Sequence, residues 1–149
     1  MILPRLRVML FEDNGERVAE MSSVLAELAL DVTIRLSDNA PQLIERLDPE
    51  LSLADLVLLD HDLGPSRLVG DRRIDPGDGR DVVAALCERK PKCPVIIHST
   101  NVPAAFSMES TLVSAGWKVS AIVPYCDLVW VREAWLPLVV KSLAERRSA

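Results

Sequence analysis

Four consecutive large apolar residues, Leu56-Val57-Leu58-Leu59, run directly into Asp60-His61-Asp62-Leu63-Gly64. So short an apolar run, bounded by polar and turn residues, reads as a strand buried on both faces. Strands of that kind belong to parallel sheets, whose ligands bind beyond the carboxyl ends of the strands. The segment 55–60 is therefore expected to be the central strand, with Asp60 at its functional end and Gly64-Pro65 breaking it.

Two more apolar runs end the same way. Residues 6–11 run into Glu12-Asp13-Asn14, and residues 94–99 end in His98-Ser99-Thr100-Asn101. Between and after them, helical periodicity alternates with short β-branched stretches. Val18, Met21, Val24, Leu25 and Leu28 recur at three- and four-residue spacing, which predicts a helix over 16–30 capped by Asn14. Residues 31–36 read as a second strand. Ser37 or Asp38 is expected to cap a helix that runs to Leu47, with Pro41 in its first turn and Asp48-Pro49 stopping it. Helices are predicted over 79–90 and 103–115, the second closed by Gly116. A weaker fifth strand covers 119–123, and a last helix follows Asp127 towards Arg147, kinked or split by Pro137. Trp130 and Trp135, five residues apart, are not expected to share a helix face.

Five strands alternating with five helices predict an α/β fold: a flavodoxin-like three-layer α/β/α sandwich with a five-stranded parallel sheet in the order 2-1-3-4-5. A chain of 149 residues is expected to form a single domain. The segment 64–78 is too long for an ordinary strand-to-helix turn and reads as an insert. It carries Arg67, Arg72 and Arg73 beside Asp71, Asp75 and Asp78. That pattern suits a solvated charged flap, or a lid that brings an arginine to a phosphate.

Composition narrows the partners. A net charge of -5 and the absence of a basic helix argue against nucleic-acid duplex binding. No stretch has the length of a membrane span, and the opening MILPRLRVMLF lacks a signal-peptide pattern. Cys87, Cys93 and Cys126 are odd in number and lack CxxC spacing, so reduced thiols and a cytoplasmic location are expected.

In the 2-1-3-4-5 order, strands one, three and four are adjacent, so the three polar strand ends converge. Carboxylates gathered there repel one another. A hard divalent cation with oxygen ligands, Mg²⁺ in type, relieves that repulsion. A metal-bound carboxylate beside a hydroxyl is suited to handling phosphate.

With these motifs in order, the sequence resembles a response-regulator receiver domain of the CheY-like kind over nearly its whole length. The resemblance places the acidic pair at Glu12-Asp13, the phosphate-accepting aspartate at Asp60, a main-chain Mg²⁺ ligand at Asp62 and the hydroxyl position at Ser99. It implies metal binding by Glu12, Asp13, Asp60 and Asp62, and a histidine kinase or phosphotransfer protein as partner. The lysine that receivers place before a proline at the end of the fifth strand is missing: Val123 precedes Pro124, and Lys118 comes five residues too early.

The motifs LDHDLG, DGRDVV and IIHSTN, with the insert between the first two, are most similar to a divergent branch, the cyclic-phosphate processing receivers. That branch favours two aspartates followed by an arginine, where this chain has Glu12-Asp13-Asn14. The branch implies a cyclic-phosphate small molecule as ligand. His61 and His98, the two histidines of the chain, then become candidate acid and base groups. Strand alternation allows a second role for His98: if Ser99 lines the site, His98 faces the core. Thr100 and Asn101 are candidates for phosphate binding, or for capping the following helix. Three functions follow: a stand-alone signalling receiver phosphorylated on Asp60, a phosphoesterase acting on a cyclic phosphate, and a pseudo-receiver that only binds a partner. Homodimer formation is left open.

Overall fold

The computed structural model describes residues 2–63 and 67–148. Its main sheet has five parallel strands: β1 (Arg5–Phe11), β2 (Asp31–Ser37), β3 (Leu56–Leu59), β6 (Val95–His98) and β7 (Val119–Ile122). They lie in the order β2-β1-β3-β6-β7. Counting only strands of this sheet, that is the expected 2-1-3-4-5 arrangement. Two short strands, β4 (Arg67–Val69) and β5 (Arg72–Ile74), pair antiparallel as a separate hairpin turned at Gly70, whose φ is +63°. This hairpin lies within the segment 64–78 that reads as a charged flap or lid in sequence. The Gly64-Pro65 break lies outside the described residues, as does the side chain of Arg67.

Alternation along the strands divides the core into two layers. Met9, Phe11, Val57, Leu59, Val95 and Ile97 face α2 (Ala40–Glu50), α3 (Gly79–Cys87) and α4 (Val102–Ser114). Leu6, Val8, Leu10, Leu56, Leu58 and Ile96 face α1 (Gly15–Ala26) and the C-terminal helical segment. β3 is buried at all four positions, as a central parallel strand requires.

Several boundaries differ from the sequence expectation. The cap of α2 is Asn39, whose side chain accepts from the Gln42 N–H, and the helix continues through Pro49 to Glu50 before a 3₁₀ turn over Leu51–Leu53. Asp127 is not a side-chain cap. It and Cys126 adopt left-handed backbone, φ +54° and +48°, and the Asp127 carbonyl accepts the Trp130 indole N–H at 2.9 Å. The last helix widens into a π-helical stretch over Val131–Trp135 and resumes as α5 (Leu136–Ser148). Pro137 lacks an N–H and its ring crowds the preceding turn; the wide turn lies just ahead of it. The same turn overrules the expectation for the tryptophans. Residues five apart are bonded neighbours in a π-helix, and Trp130 and Trp135 are both fully buried in one cluster.

The start of α3 rests directly on the end of β3. The Gly79 N–H donates to the His61 carbonyl at 3.0 Å, and a Cβ at Gly79 would collide with the Asp60 carbonyl and with Met108 Cε at 2.6 Å. Gly79→Ala is therefore expected to destabilise the fold by about 1–3 kcal/mol, the usual cost of overpacking. Gly15, with nothing within 4 Å of its Cβ position, is the control. There alanine is expected to be neutral or stabilising by ~0.4–1 kcal/mol. Denaturant melts of both variants measure this; equal midpoints would show that α3 docks loosely.

Candidate phosphate site at the carboxyl edge of the sheet

The paired register of the three central strands ends at Phe11, Leu59 and Ile97. Glu12, Asp60 and His98 are each the next residue, and the Asp60 N–H still bonds to the Phe11 carbonyl at 3.0 Å. These three side chains thus form one row across β1, β3 and β6. They share the parity of Leu10, Leu58 and Ile96 and lie on the α1 and α5 side of the sheet. One ligand atom from each lies within 4.8 Å of the other two, and all three residues are buried.

Each member of the row is held. Glu12 Oε2 accepts the backbone N–H groups of Asp13 and Asn14 at 3.0 and 3.2 Å. Asp60 Oδ1 accepts the His61 N–H at 2.7 Å. His98 Nε2 lies 3.2 Å from Glu12 Oε1, and its ring stacks on Trp130 at 5.7 Å between centroids. Strand alternation therefore aims His98 into the site, against Trp130, rather than into a purely apolar core.

Arg17 completes the arrangement and is not evident in the sequence. It lies in the first turn of α1, where the Asn14 side chain accepts its N–H at 3.0 Å. Its Nη1 is 3.4 Å from Glu12 Oε1 and 3.5 Å from Asp60 Oδ2, and its Cζ lies 5.7 Å from the Trp130 ring. The local cation thus comes from α1. Lys118 cannot supply it: its carbonyl accepts the Val95 N–H at 2.9 Å, which puts it at the opposite edge of the sheet.

The remaining candidates surround the row without joining it. His61 turns towards α3: its Nδ1 is 2.8 Å from Asp62 Oδ1, and its Nε2 is 3.5 Å from Asp78 Oδ2 without forming a hydrogen bond. Asp13 and Asp62 are exposed, outside the cluster. Ser99 is buried, and its Oγ accepts the Asn101 N–H at 3.0 Å. Asn101 in turn caps α4 by accepting from the Ala104 N–H at 3.1 Å. Thr100 is exposed.

The family profile described as "Cyclic-phosphate processing Receiver domain" matches residues 9–114, which span the whole row. The chain belongs to that receiver family. Solved receiver structures share its fold at low identity. The phosphorylated cyanobacterial phytochrome response regulator RcpA has 17% identity and a TM-score of 0.72, covering 95% of this chain and 96% of its own. The response regulator domain of Thermotoga maritima CheB has 13% identity and a TM-score of 0.64, covering 94% and 97%. A signal receiver domain of a Luxo repressor protein from Vibrio parahaemolyticus has 16% identity and a TM-score of 0.61, covering 97% of each chain. Among curated proteins, none matches the sequence. Among the described residues, no helix is long and apolar enough to cross a membrane.

Receiver domains generally use Mg²⁺. In this family member the carboxylates of Glu12 and Asp60 suit such an ion, whereas the His98 imidazole is foreign to an ion that prefers oxygen.

The electrostatics of the receiver row are uneven. Burial raises the Asp60 pKa to about 8, reinforced by the Glu12 charge and opposed by the His61 N–H and Arg17. Burial also pushes the Glu12 carboxyl up, but His98, the Asn14 N–H and Arg17 outweigh it and hold it below the ordinary carboxylate range. Without metal, one proton therefore stays on Asp60 at neutral pH while Glu12 carries the charge. A raised pKa contributes stability below the ordinary value of 3.8 that is lost as pH rises through about 8. Asp60→Asn, which stays neutral, is thus expected to melt higher than the parent in EDTA, by a margin that grows from pH 4 to pH 8. Thermal melts across that range measure it; a margin independent of pH would show that Asp60 is ionised throughout.

Proposed function

We propose that this receiver opens a cyclic phosphate to a phosphomonoester, with Asp60 as nucleophile and His61 as the proton-transfer group. The observation that supports it is the Asp62–His61 pair, next along the chain from Asp60. The 2.8 Å contact to Asp62 fixes the ring, and Nε2, 3.5 Å from Asp78 Oδ2, makes no hydrogen bond. A carboxylate that orients an imidazole is the arrangement of a general acid–base. Accepting a phosphoryl group on Asp60 requires no such histidine.

The reaction divides into two displacements. Asp60 attacks phosphorus, a P–O bond forms to its carboxylate, and one ring P–O bond breaks. Protonated His61 gives its Nε2 proton to the departing oxygen. Water then attacks phosphorus, His61 takes the water proton, and the bond to Asp60 breaks, restoring the carboxylate. Arg17 offsets charge on the phosphoryl oxygens in place of the receiver lysine, and the exposed Thr100 is the residue of 99–101 left to donate to them, since Ser99 bonds to the Asn101 N–H and Asn101 caps α4. A divalent cation, which Glu12 and Asp60 would hold and to which the receiver resemblance adds Asp13 and the Asp62 carbonyl as ligands, would supply further positive charge and let Asp60 ionise at neutral pH.

The same Asp60 position supports a second reading, in which a histidine kinase or phosphotransfer protein phosphorylates it. The shared fold with a phosphorylated response regulator favours that reading. Hydrolysis of a 2′,3′-cyclic nucleotide and labelling by acetyl phosphate, run in parallel, separate the two. Asp60→Asn is expected to abolish both. His61→Ala is expected to lower turnover by about 10²–10⁴-fold, the range of a general acid–base group, with metal binding retained. Turnover that survives Asp60→Asn would defeat the double displacement. Clean labelling of Asp60 without turnover would leave the signalling receiver.

A further inference from the structure

We propose that Glu12, Asp60 and His98 form a mixed nitrogen–oxygen site for a divalent first-row transition ion, Mn²⁺ or Zn²⁺ in type. The receiver resemblance implies instead an all-oxygen Mg²⁺ site with Asp13 and Asp62. The inference concerns the same pocket as the phosphoester reading, but it is a statement about binding and stands or falls without any turnover.

Three observations carry it. First, the donor atoms are already grouped: each residue offers one atom, all within 4.8 Å of one another. The 3.2 Å between His98 Nε2 and Glu12 Oε1 is the separation of two ligands around one ion with bonds of about 2.1 Å. Second, the imidazole is locked. His98 is fully buried, its backbone continues β6, and its ring is stacked on Trp130, so it cannot turn away to leave an all-oxygen set. Mg²⁺ demands oxygen ligands, whereas imidazole with carboxylates suits first-row transition ions. Third, among the described residues the donor side chains that group together are Glu12, Asp60 and His98, and Asp13 is not one of them.

Arg17 is the competitor. Its Nη1 touches both carboxylates, so it occupies their charge when no ion is bound. The side chain is 22% exposed, which leaves it room to swing outward as the ion enters. Three protein ligands leave further coordination positions open for water or a phosphate oxygen.

Electron spin-echo spectroscopy of Mn²⁺ bound to the parent protein tests the assignment directly. A coupling to an imidazole nitrogen is expected in the parent and in His61→Gln, and is expected to vanish in His98→Gln. Competition of Mn²⁺ or Zn²⁺ against Mg²⁺ gives a second measure: the parent's preference is expected to fall at least about tenfold in His98→Gln. Arg17→Met is expected to tighten Mn²⁺ binding. An oxygen-only spectrum in the parent, which requires no variant to fold, would overturn the proposal. So would a nitrogen signal that disappears with His61 and persists without His98. The cyclic-nucleotide assay is a separate readout, so absent turnover with an intact nitrogen coupling would sink the phosphoester reading alone.

Discussion

Two carboxylates buried side by side set the terms for everything around them. Glu12 and Asp60 are placed together by the parallel register of β1 and β3, and burial removes the water that would screen their repulsion. Each nearby feature offsets part of that cost. Two backbone N–H groups after β1 turn towards Glu12, one after β3 turns towards Asp60, and Arg17 reaches between them. His98 meets Glu12 from β6. A proton on Asp60, whose pKa burial raises to about 8, offsets the rest.

Most of the scaffold was legible in sequence because it follows from patterning. The apolar runs ending in polar clusters gave the strands, and alternation with helical periodicity gave the layers. The clustering of Glu12, Asp60 and the 98–101 segment at one edge followed from strand order alone. Which member of that last segment turns inward did not. Alternation fixes only that His98 and Ser99 point opposite ways; the register of β6 against β3 chooses His98. Asn101, open to two roles in sequence, serves as a helix cap, and Ser99 bonds to it.

Arg17 was hidden for a different reason. Its sequence neighbours mark it only as one charged residue at the start of an amphipathic helix. Its reach to Asp60 spans 43 positions and depends on how α1 leaves β1 and lies over the sheet. The missing lysine after β7 was visible as an absence, but the cation that does lie beside Asp60 required three-dimensional placement. The pairing of the tryptophans is not legible in sequence because an α-helical period separates residues five apart, whereas a π-helical turn brings them together.

That turn also bears on how such a chain can change over time. A π-helical stretch is an α-helix carrying one surplus residue. Deleting a residue between Val131 and Trp135 would restore regular winding but rotate all of α5 by about 100° relative to Trp130. Val139 would leave the core, or Trp130 would leave His98. Descendants of this sequence can lengthen or shorten the β4–β5 hairpin, a two-stranded sheet separate from the main one, and keep their fold. Gaps in an alignment of relatives should therefore gather around the hairpin and spare the stretch before Pro137, where chain length itself is under selection.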